Sequence, residues 1–239
     1  MQRIPDKSID MILCDLPYGT TNRNKWDVII PFEKLWVQYE RIIKDNGAIL
    51  LFADEPFTSE LICSNKKLFK QRITWDKDRG AGFLNAKKML LKQTEDIVLF
   101  YKNMPTYNPQ MVKAPPDRIR PISDKSTESI NYGKVKKVKA GVDYNPELRY
   151  PTNLIKFSSV KGECNNLNRL HPTQKPVELC EWLIKTYTNK GETVLDNCIG
   201  SGTTAIACLD TNRNYLGFEL DEQYYNLTNK RIEEHIHKT

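Results

Sequence analysis

Short apolar runs alternate with segments whose apolar residues recur at helical spacing through the first hundred positions. Four runs predict strands: SIDMILCD (8–15), GAILLFAD (47–54), RITWDK (72–77) and EDIVLFYK (95–102). Apolar spacing predicts helices between them over 28–44, 58–69 and 85–93. Buried strands that alternate with amphipathic helices indicate an α/β domain with a largely parallel sheet.

This alternation stops in the middle of the chain and then resumes. Residues 103–168 contain many prolines and few regular runs, and unstructured stretches of this length inside a domain usually have a function. From His171 onward the pattern returns, with strands predicted over 192–198 and 214–220 and helices over 177–188, 203–211 and from Glu222. We therefore predict one sheet domain formed by 1–101 and 171–239 and interrupted by an insert over 102–170.

Composition places the chain among globular proteins and argues against several other classes. Its 239 residues are 39% hydrophobic and 28% charged, and no apolar run is long enough to span a bilayer. No signal peptide is visible at the N-terminus, so we predict a cytoplasmic protein without membrane contact. The six cysteines form no C-x-x-C pair, and the spacing of His235 and His237 points them apart on a helix, so we predict no metal site.

Positive charge is concentrated in the insert. Residues 102–170 hold 13 of the 36 Lys and Arg residues but only 6 of the 30 Asp and Glu residues, and the rest of the chain is close to neutral. Such a concentration is typical of a surface that binds a polyanion. A solvated lysine-rich loop is the alternative that composition leaves open.

The segment Asp15-Leu16-Pro17-Tyr18-Gly19 follows the first predicted strand. Ligands bind beyond the carboxyl ends of strands in open α/β sheets. This segment offers a carboxylate, the carbonyl of a proline that lacks an N–H, and an aromatic ring, which suits a planar group that carries an NH2. The alternative is an ordinary turn in which Asp15 caps a helix and Tyr18 packs in the core.

A second motif, LDNCIGSGTT at 195–204, lies between a predicted strand and a predicted helix. Glycines at such a junction let the backbone approach a ligand, and the helix start presents unpaired N–H groups. The next predicted strand leads to Glu219, an acid placed to bind ribose hydroxyls. These features predict a nucleoside-binding half without the third glycine of a dinucleotide site.

With DLPYG at 15–19, HPTQKP at 171–176 and LDNCIGSGTT at 195–204, the sequence resembles the S-adenosylmethionine-dependent DNA amino-methyltransferases of the β arrangement. In that arrangement the catalytic tetrapeptide comes first, a target-recognition segment follows, and the glycine motif comes last. The resemblance covers nearly the whole chain. It implies a Rossmann-like methyltransferase sheet with helices on both faces, a circularly permuted motif order and a target-recognition insert.

The resemblance assigns roles residue by residue. Asp15, Pro17 and Tyr18 match the catalytic motif, which implies binding of the target amino group and stacking of a flipped-out base on Tyr18. The cofactor S-adenosylmethionine is implied to be bound by residues of the other two motifs and by the acid after them, namely Thr173, Lys175, Asp196, Gly200, Ser201, Gly202, Thr203 and Glu219. In the insert, we expect phosphate contacts from Lys134, Lys136, Lys137 and Lys139.

The implied activity is site-specific methylation of adenine N6 in double-stranded DNA, in a restriction-modification, phage or orphan system. As further partners we expect a second copy of the chain, in a homodimer, or a cognate restriction system. Because Asp15 starts the motif, adenine is favoured over cytosine N4, which remains an alternative. Leu16 replaces the usual first proline, and the family usually has a strand and helix before 3–13 that this sequence does not contain. A reading frame that starts late, a weak or partner-dependent enzyme, and a DNA-binding protein without catalysis therefore stay open.

Overall fold

The computed structural model describes residues 1–19, 27–119, 128–129, 133–134, 145–159 and 174–237, with only the backbone described at 118, 128–129 and 133–134. Two compact units emerge. The larger unit comprises Met1–Asn108 together with Asn153–Thr239, and the smaller comprises Pro109–Thr152. The larger unit contains the seven-stranded sheet and every motif of the candidate site that the structure describes.

Regular structure in the first hundred residues follows the predicted alternation. The elements are β1 (Ile9–Asp15), α1 (Phe32–Ile42), β2 (Ile43–Ala53), α2 (Phe57–Ser64), β3 (Phe69–Ala81) and β4 (Lys92–Phe100). Each predicted strand is present. The first helix begins four residues later than predicted, after Pro31, which has no N–H to donate to a preceding turn. The second helix ends at Ser64, five residues earlier than predicted.

Short strands occupy the middle of the chain and longer elements follow. The elements are β5 (Val112–Lys113), β6 (Glu128–Ser129), β7 (Gly133–Lys134), β8 (Leu148–Arg149), β9 (Leu154–Lys156), α3 (Val177–Tyr187), β10 (Thr193–Asp196), α4 (Thr203–Asp210), β11 (Asn214–Gly217) and α5 (Glu222–Ile236). Within the smaller unit, β5 pairs with β8 and β6 pairs with β7, both antiparallel.

The large sheet has the strand order β11-β10-β1-β2-β4-β3-β9. The first four strands in this order are mutually parallel, β4 is antiparallel to both β2 and β3, and β9 is parallel to β3. The antiparallel hairpin follows from chain length, since a parallel crossover needs about a dozen residues or more and only 82–91 connect β3 to β4. The sheet is therefore mixed, with its parallel half around β1.

Helices cover both faces of this sheet, as predicted for the Rossmann-like fold. In β1 and β2, Ile12 and Leu51 pack toward α1 and α2, whereas Leu13 and Leu50 pack toward α3 and α4 on the opposite face. Alternate residues of a strand point to opposite faces, so strands buried on both sides contain continuous apolar runs. The last helix, α5, packs on α4 through Ile232.

One predicted helix is wrong. Residues 85–93 form no α-helix: a single 3₁₀ turn over Phe83–Asn85 is followed by turns, and β4 begins at Lys92. The apolar residues that suggested a helix, Met89, Leu90 and Leu91, are exposed and have no core to pack against. Amphipathic spacing stabilises a helix only when its apolar face is buried, and here it is not.

The compact smaller unit is narrower than the insert predicted over 102–170. Residues 102–108 and 153–159 belong to the larger unit. Asn108 donates its backbone N–H to the carbonyl of Thr186, and β9 extends the large sheet beside β3. Extended segments of this kind lack the apolar runs that mark central strands, so the sequence pattern does not separate them from loops.

We expect Leu51→Ala to lower the free energy of unfolding by about 2–5 kcal/mol, because it leaves a cavity under α1. The matched control is Val37→Ala on α1, where the side chain is 66% exposed and the change should stay within about 0.5 kcal/mol. Urea unfolding followed by circular dichroism measures both. Equal effects of the two substitutions would contradict this core.

Candidate active site

The motifs found in the sequence meet at one edge of the sheet. β11, β10 and β1 are adjacent and parallel, so their carboxyl ends lie side by side. β1 ends at Asp15, β10 ends at Asp196, and Glu219 follows β11 by two residues. Segments separated by about 180 positions in the chain are thus brought together at the edge where open α/β sheets bind ligands.

Asp15 is held by two donors. Its Oδ1 accepts a hydrogen bond from the Tyr18 hydroxyl at 2.6 Å, and its Oδ2 accepts one from the Lys175 Nζ at 2.8 Å. The Tyr18 ring packs on Phe57, with 5.1 Å between ring centroids. Burial and the neighbouring carboxylates of Asp15 and Glu95 raise the pKa of Tyr18 well above its ordinary value, so Tyr18 remains a neutral donor. The carboxylate is therefore fixed in direction.

Lys175 lies in a cluster of four charged groups. Its ammonium is 2.8 Å from Asp15 and 3.5 Å from Glu95, whose other oxygen accepts from Lys77 at 2.9 Å. It also lies 5.1 Å from the centroid of the Phe52 ring. Only 11% of the Lys175 side chain is exposed. Two carboxylates and two ammonium groups balance each other, so this partly desolvated cluster carries no net charge.

The pKa shifts follow from this geometry. Burial lowers the pKa of Lys175, but the carboxylates of Asp15 and Glu95 outweigh it and raise that pKa above its ordinary value. For Glu95, burial raises the pKa, and the ammonium groups of Lys175 and Lys77 more than reverse that effect. Lys175 and Glu95 both keep their charge at neutral pH.

Sequence reasoning missed Glu95 and Lys77. Their positions depend on the pairing of β3 with β4, in which Trp75 lies opposite Glu95. One signal in the sequence could have identified Glu95: it is an acidic residue at the start of the apolar run EDIVLF. The next residue of β4, Asp96, pairs with Ala53 at the end of β2. Lys175, which the resemblance assigns to the cofactor, contacts the catalytic motif through its Nζ in this structure.

The glycine turn between β10 and α4 depends on backbone conformations that favour glycine. Gly200 has φ +50° and Gly202 has φ +77°, both in the left-handed region. A Cβ on Gly202 would lie 2.7 Å from the Thr228 methyl group of α5, whereas the nearest atom to a Cβ on Gly200 would be the Cys198 carbonyl oxygen at 3.9 Å, an ordinary contact. The turn is thus tightly packed on one side and open on the other.

Several predicted cofactor residues act within the turn itself. Ser201 and Thr203 are buried, and their hydroxyls lie 3.3 Å apart. From α5, Arg231 donates to the Ser201 carbonyl at 2.6 Å and Thr228 donates to the Gly200 carbonyl. Packing of α5 against this turn therefore determines its shape.

Asp196 is buried, and its two oxygens serve the turn. Oδ1 accepts from the Cys198 N–H at 3.0 Å, and Oδ2 accepts from the Thr204 hydroxyl at 2.6 Å. Burial raises the pKa of Asp196 to about 6, although these two donors act in the opposite direction. This carboxylate therefore stabilises the loop that the resemblance assigns to the cofactor.

Glu219 connects the end of β11 to the glycine turn. Its Oε2 accepts from the Gly200 N–H at 2.9 Å, and its Oε1 accepts from the N–H groups of Leu220 and Asp221. A carboxylate has about four acceptor positions, so one remains for a ligand hydroxyl. Exposed Phe218 and Leu220 flank it with apolar surface. The open side of Gly200, this acceptor and the apolar flanks fit the nucleoside part of S-adenosylmethionine.

Some predicted site residues lie outside the described residues. These are Thr173, Lys136, Lys137 and Lys139, while at Lys134 only the backbone is described, in β7. In the part of the chain that the structure describes, no group of three or more His, Cys, Asp or Glu side chains is arranged to hold a metal ion. None of the described helices has the length and apolarity of a membrane-crossing helix.

The Asp-x-Pro-Tyr motif and the glycine turn, in permuted order on one sheet edge, define an amino-methyltransferase site. A family model for DNA methylases of the N6/N4 type matches residues 9–230. The chain belongs to this family of S-adenosylmethionine-dependent DNA methyltransferases, which act on adenine N6 or cytosine N4. The predicted family and cofactor are confirmed.

Individual relatives align over nearly the whole chain. The type II methyltransferase M1.MboII of Moraxella bovis is 31% identical over 96% of this chain and 91% of its own length. The DNA adenine methyltransferase YhdJ of Escherichia coli K12 is 27% identical over 98% of this chain and 79% of its own length. The structure of the cytosine-N4-specific PvuII methyltransferase covers 99% of this chain and 87% of its own, with a TM-score of 0.64 and 13% identity, a likeness of fold.

We expect Asp196→Asn to change how stability depends on pH. Between about pH 4 and pH 6 native Asp196 keeps its proton while the unfolded residue loses it, so its contribution to stability falls as the pH rises. The stability of the variant relative to wild type should therefore rise over this range and then level off. Urea unfolding at several pH values measures the difference.

Asp76→Asn is the control, for which we expect the opposite change of stability with pH. Hydrogen bonds from the Gln93 side chain and the Asp78 N–H lower the pKa of Asp76 in the native state. Its contribution to stability is lost as the pH falls, so the stability of this variant relative to wild type should decrease as the pH rises through the acid range. The same direction for both variants would contradict the assignment of Asp196.

We expect Gly200→Ala to weaken the binding of S-adenosylmethionine by about tenfold or more, because its methyl group enters the open side of the turn. Gly191→Ala is the matched control: Gly191 also has positive φ and open space around its Cβ, but it precedes β10 at the other end of that strand. Calorimetry measures both affinities. Equal losses would show that backbone strain alone is responsible.

Proposed function

We propose that this enzyme methylates N6 of adenine at specific sites in double-stranded DNA. The observation that carries the proposal is the Asp15 carboxylate, held by Tyr18 and Lys175 on the same sheet edge as the glycine turn. An aspartate at the first position of the motif favours adenine. The similarity to YhdJ, which is named a DNA adenine methyltransferase, supports the same choice.

The chemical task is to make a weak nucleophile attack. The lone pair of an exocyclic amine is delocalised into the ring, and acceptors for both N–H protons would localise it on nitrogen. Asp15 would accept a hydrogen bond from one N–H, and the backbone carbonyls near Leu16 and Pro17 would accept one from the other. The methylated amine would lose one proton after the attack. Two of the roughly four acceptor positions on the Asp15 carboxylate are used by Tyr18 and Lys175, which leaves room for the amine.

Catalysis in this scheme comes from positioning and electrostatics. Tyr18 and Lys175 fix the Asp15 carboxylate, so no reorganisation is needed when positive charge develops on the attacking amine. Bound S-adenosylmethionine supplies the electrophilic methyl group. Glu219 and the backbone around Gly200 would hold its nucleoside part, and Thr173 and Lys175 are the candidates for its methionine part.

The target adenine must leave the duplex before it can reach Asp15. Flipped bases are read on their Watson–Crick edge and stacked between aromatic or apolar side chains. The Tyr18 ring rests on Phe57 and is only half-buried. Its accessible part would stack on the base, with Phe57 as support.

The choice of DNA site would reside in the basic central segment. This segment would contact phosphates through Lys134, Lys136, Lys137 and Lys139 and read bases with other residues.

Each part of the chain would have its own role: 1–101 would supply the catalytic half, 102–170 target recognition, and 171–239 the cofactor-binding half. The enzyme would act in the cytoplasm. A second copy of the chain or a cognate restriction system would be its further partners.

Incubation with plasmid DNA and labelled S-adenosylmethionine, followed by nucleoside analysis, tests the activity. We expect N6-methyladenine from the wild type and none from Asp15→Asn, which lacks the carboxylate charge. Asp10→Asn is the matched control, since Asp10 lies at the opposite end of β1 and bonds Lys44 and Thr193. N4-methylcytosine instead would establish the alternative substrate, and absence of any methylated base would leave a DNA-binding protein without catalysis.

For the four lysines we expect a smaller dependence of affinity on salt. Each phosphate contact on duplex DNA contributes about 0.9 to the slope of log affinity against log salt concentration. Replacing Lys134, Lys136, Lys137 and Lys139 with alanine should weaken DNA binding on all sequences and flatten the slope by up to about 3 to 4. Cofactor affinity, measured in parallel, should hardly change. An unchanged slope would assign these lysines to solvated surface.

A further inference from the structure

The connection between β3 and β4 exposes an unusual amount of apolar surface. We call residues 82–91 the hairpin tip. Five large apolar side chains in these ten residues are exposed: Phe83, Leu84, Met89, Leu90 and Leu91. Leu84 and Leu90 are 100% and 95% exposed. Single exposed apolar residues are ordinary, but a concentration of this kind marks a surface that contacts a partner.

The hairpin tip has a defined structure of its own. Asn85 donates its N–H to the Gly82 carbonyl at 2.9 Å, and Lys88 and Met89 both donate to the Asn85 carbonyl. Gly82 has φ +88°, which begins the turn. Because its backbone groups are bonded locally, the tip presents its apolar side chains from a preformed turn.

The tip extends from the edge of the sheet where Asp15 lies. β2 ends at Ala53, which pairs with Asp96 of β4. Both strands of the hairpin continue past this level, to Ala81 on one side and back to Lys92 on the other. At about 3.4 Å per residue, the four residues from Asp96 to Lys92 reach about 14 Å beyond the end of β2.

Ion pairs join this extension to the end of β2 and to the catalytic motif. Lys92 pairs with Asp54 just after β2. Glu95, at the start of the extension, contacts the Lys175 ammonium that is bonded to Asp15. The extension is therefore anchored directly beside the candidate active site.

Charge on the tip favours a polyanion. Lys87 and Lys88 lie between the two apolar pairs Phe83-Leu84 and Met89-Leu90, and there is no acidic residue in 82–91. The nearest acids along the chain, Asp78 and Glu95, are each four positions away and are paired with Lys156 at 2.5 Å and with Lys77 at 2.9 Å. In a symmetric contact between two copies, tip against tip, these lysines would face each other and repel. A duplex instead offers phosphates for the lysines and base faces for the apolar groups.

We propose that the hairpin tip is a wedge that inserts apolar side chains into the DNA duplex beside the target base, with Lys87 and Lys88 on the flanking phosphates. The proposal rests on the proposed function. Leu84 and Leu90 fill the space that the flipped base leaves, so stacking lost on one side is replaced by apolar contact. Proteins that open or kink DNA insert Leu, Ile, Phe or Met side chains between bases in this way.

The test compares two double variants. The tip variant carries Leu84→Ser and Leu90→Ser, and the control variant carries Val37→Ser and Ile236→Ser. All four side chains are exposed, and the control pair lies on α1 and α5. First, fluorescence anisotropy measures binding to a short duplex, intact or with one abasic position. Wild type and control should prefer the abasic duplex, which has a gap ready for the wedge. The tip variant should lose this preference.

Second, methyl transfer is measured on a duplex that contains the site mapped in the methylated plasmid, with the target base paired or mismatched. The tip variant should lose about tenfold or more in kcat/KM on the paired duplex and recover to within about threefold on the mismatch, because a mismatched base is already easier to unstack. The control should match wild type on both.

The two readouts separate failure of the wedge from failure of the proposed function. If wild type transfers no methyl group, the proposed function fails, and the abasic preference alone decides the wedge. Retention of that preference by the tip variant overturns the wedge. Equal loss of activity by the tip variant on paired and mismatched duplexes also overturns it. So does light scattering that shows a dimer for wild type and a monomer for the tip variant, which would assign the tip to a contact between copies.

Discussion

The candidate active site depends on one ion pair, between Asp15 and Lys175. The two residues are 160 positions apart in the chain, and their side chains meet at 2.8 Å in a mostly buried position. Removing one partner of a buried pair commonly costs about 3–5 kcal/mol, because the remaining charge loses its compensation. Partial exposure of Asp15 reduces that figure here, so the pair contributes orientation more than stability. It fixes the residue that, in the proposed mechanism, accepts a hydrogen bond from the target amine.

The sheet explains how the permuted motif order can work. In a parallel arrangement, what matters for a ligand is which carboxyl ends are neighbours. β10 lies beside β1, although it follows it by about 180 residues. The chain can therefore supply the catalytic motif first and the glycine turn last and still place both on the same edge. The antiparallel strand β4 starts at this edge, which is how Glu95 joins a site otherwise built from strand ends.

The sequence predicted those parts of the fold and site that depend on local pattern. β1, α3 and α4 are apolar runs buried on both sides or amphipathic helices with a buried face, and their bounds are close to those predicted. Gly200 and Gly202 were singled out because glycines at a strand–helix junction let the backbone approach a ligand, and both have φ values in the region that favours glycine.

What the sequence could not predict depends on contacts between distant segments. Glu95 reaches Lys175 only because β3 and β4 pair in one register, and no local pattern encodes that register. The bond between Asp196 and Thr204 was not predicted for a similar reason, since it depends on the packing of α4. The apolar residues near 89–91 have the spacing of a helix, although no element among the described residues covers them.

The pairing of Lys77 with Glu95 now has an electrostatic explanation. Lys175 alone would neutralise Asp15, and Glu95 alone beside them would leave an excess negative charge in a partly desolvated site. Lys77 restores the balance, so Lys175 can bind Asp15 without surplus charge of either sign within the cluster. In the proposed mechanism, a cluster without net charge neither strongly repels nor strongly attracts the cationic methyl donor, and its contribution is to hold the Asp15 carboxylate in one direction.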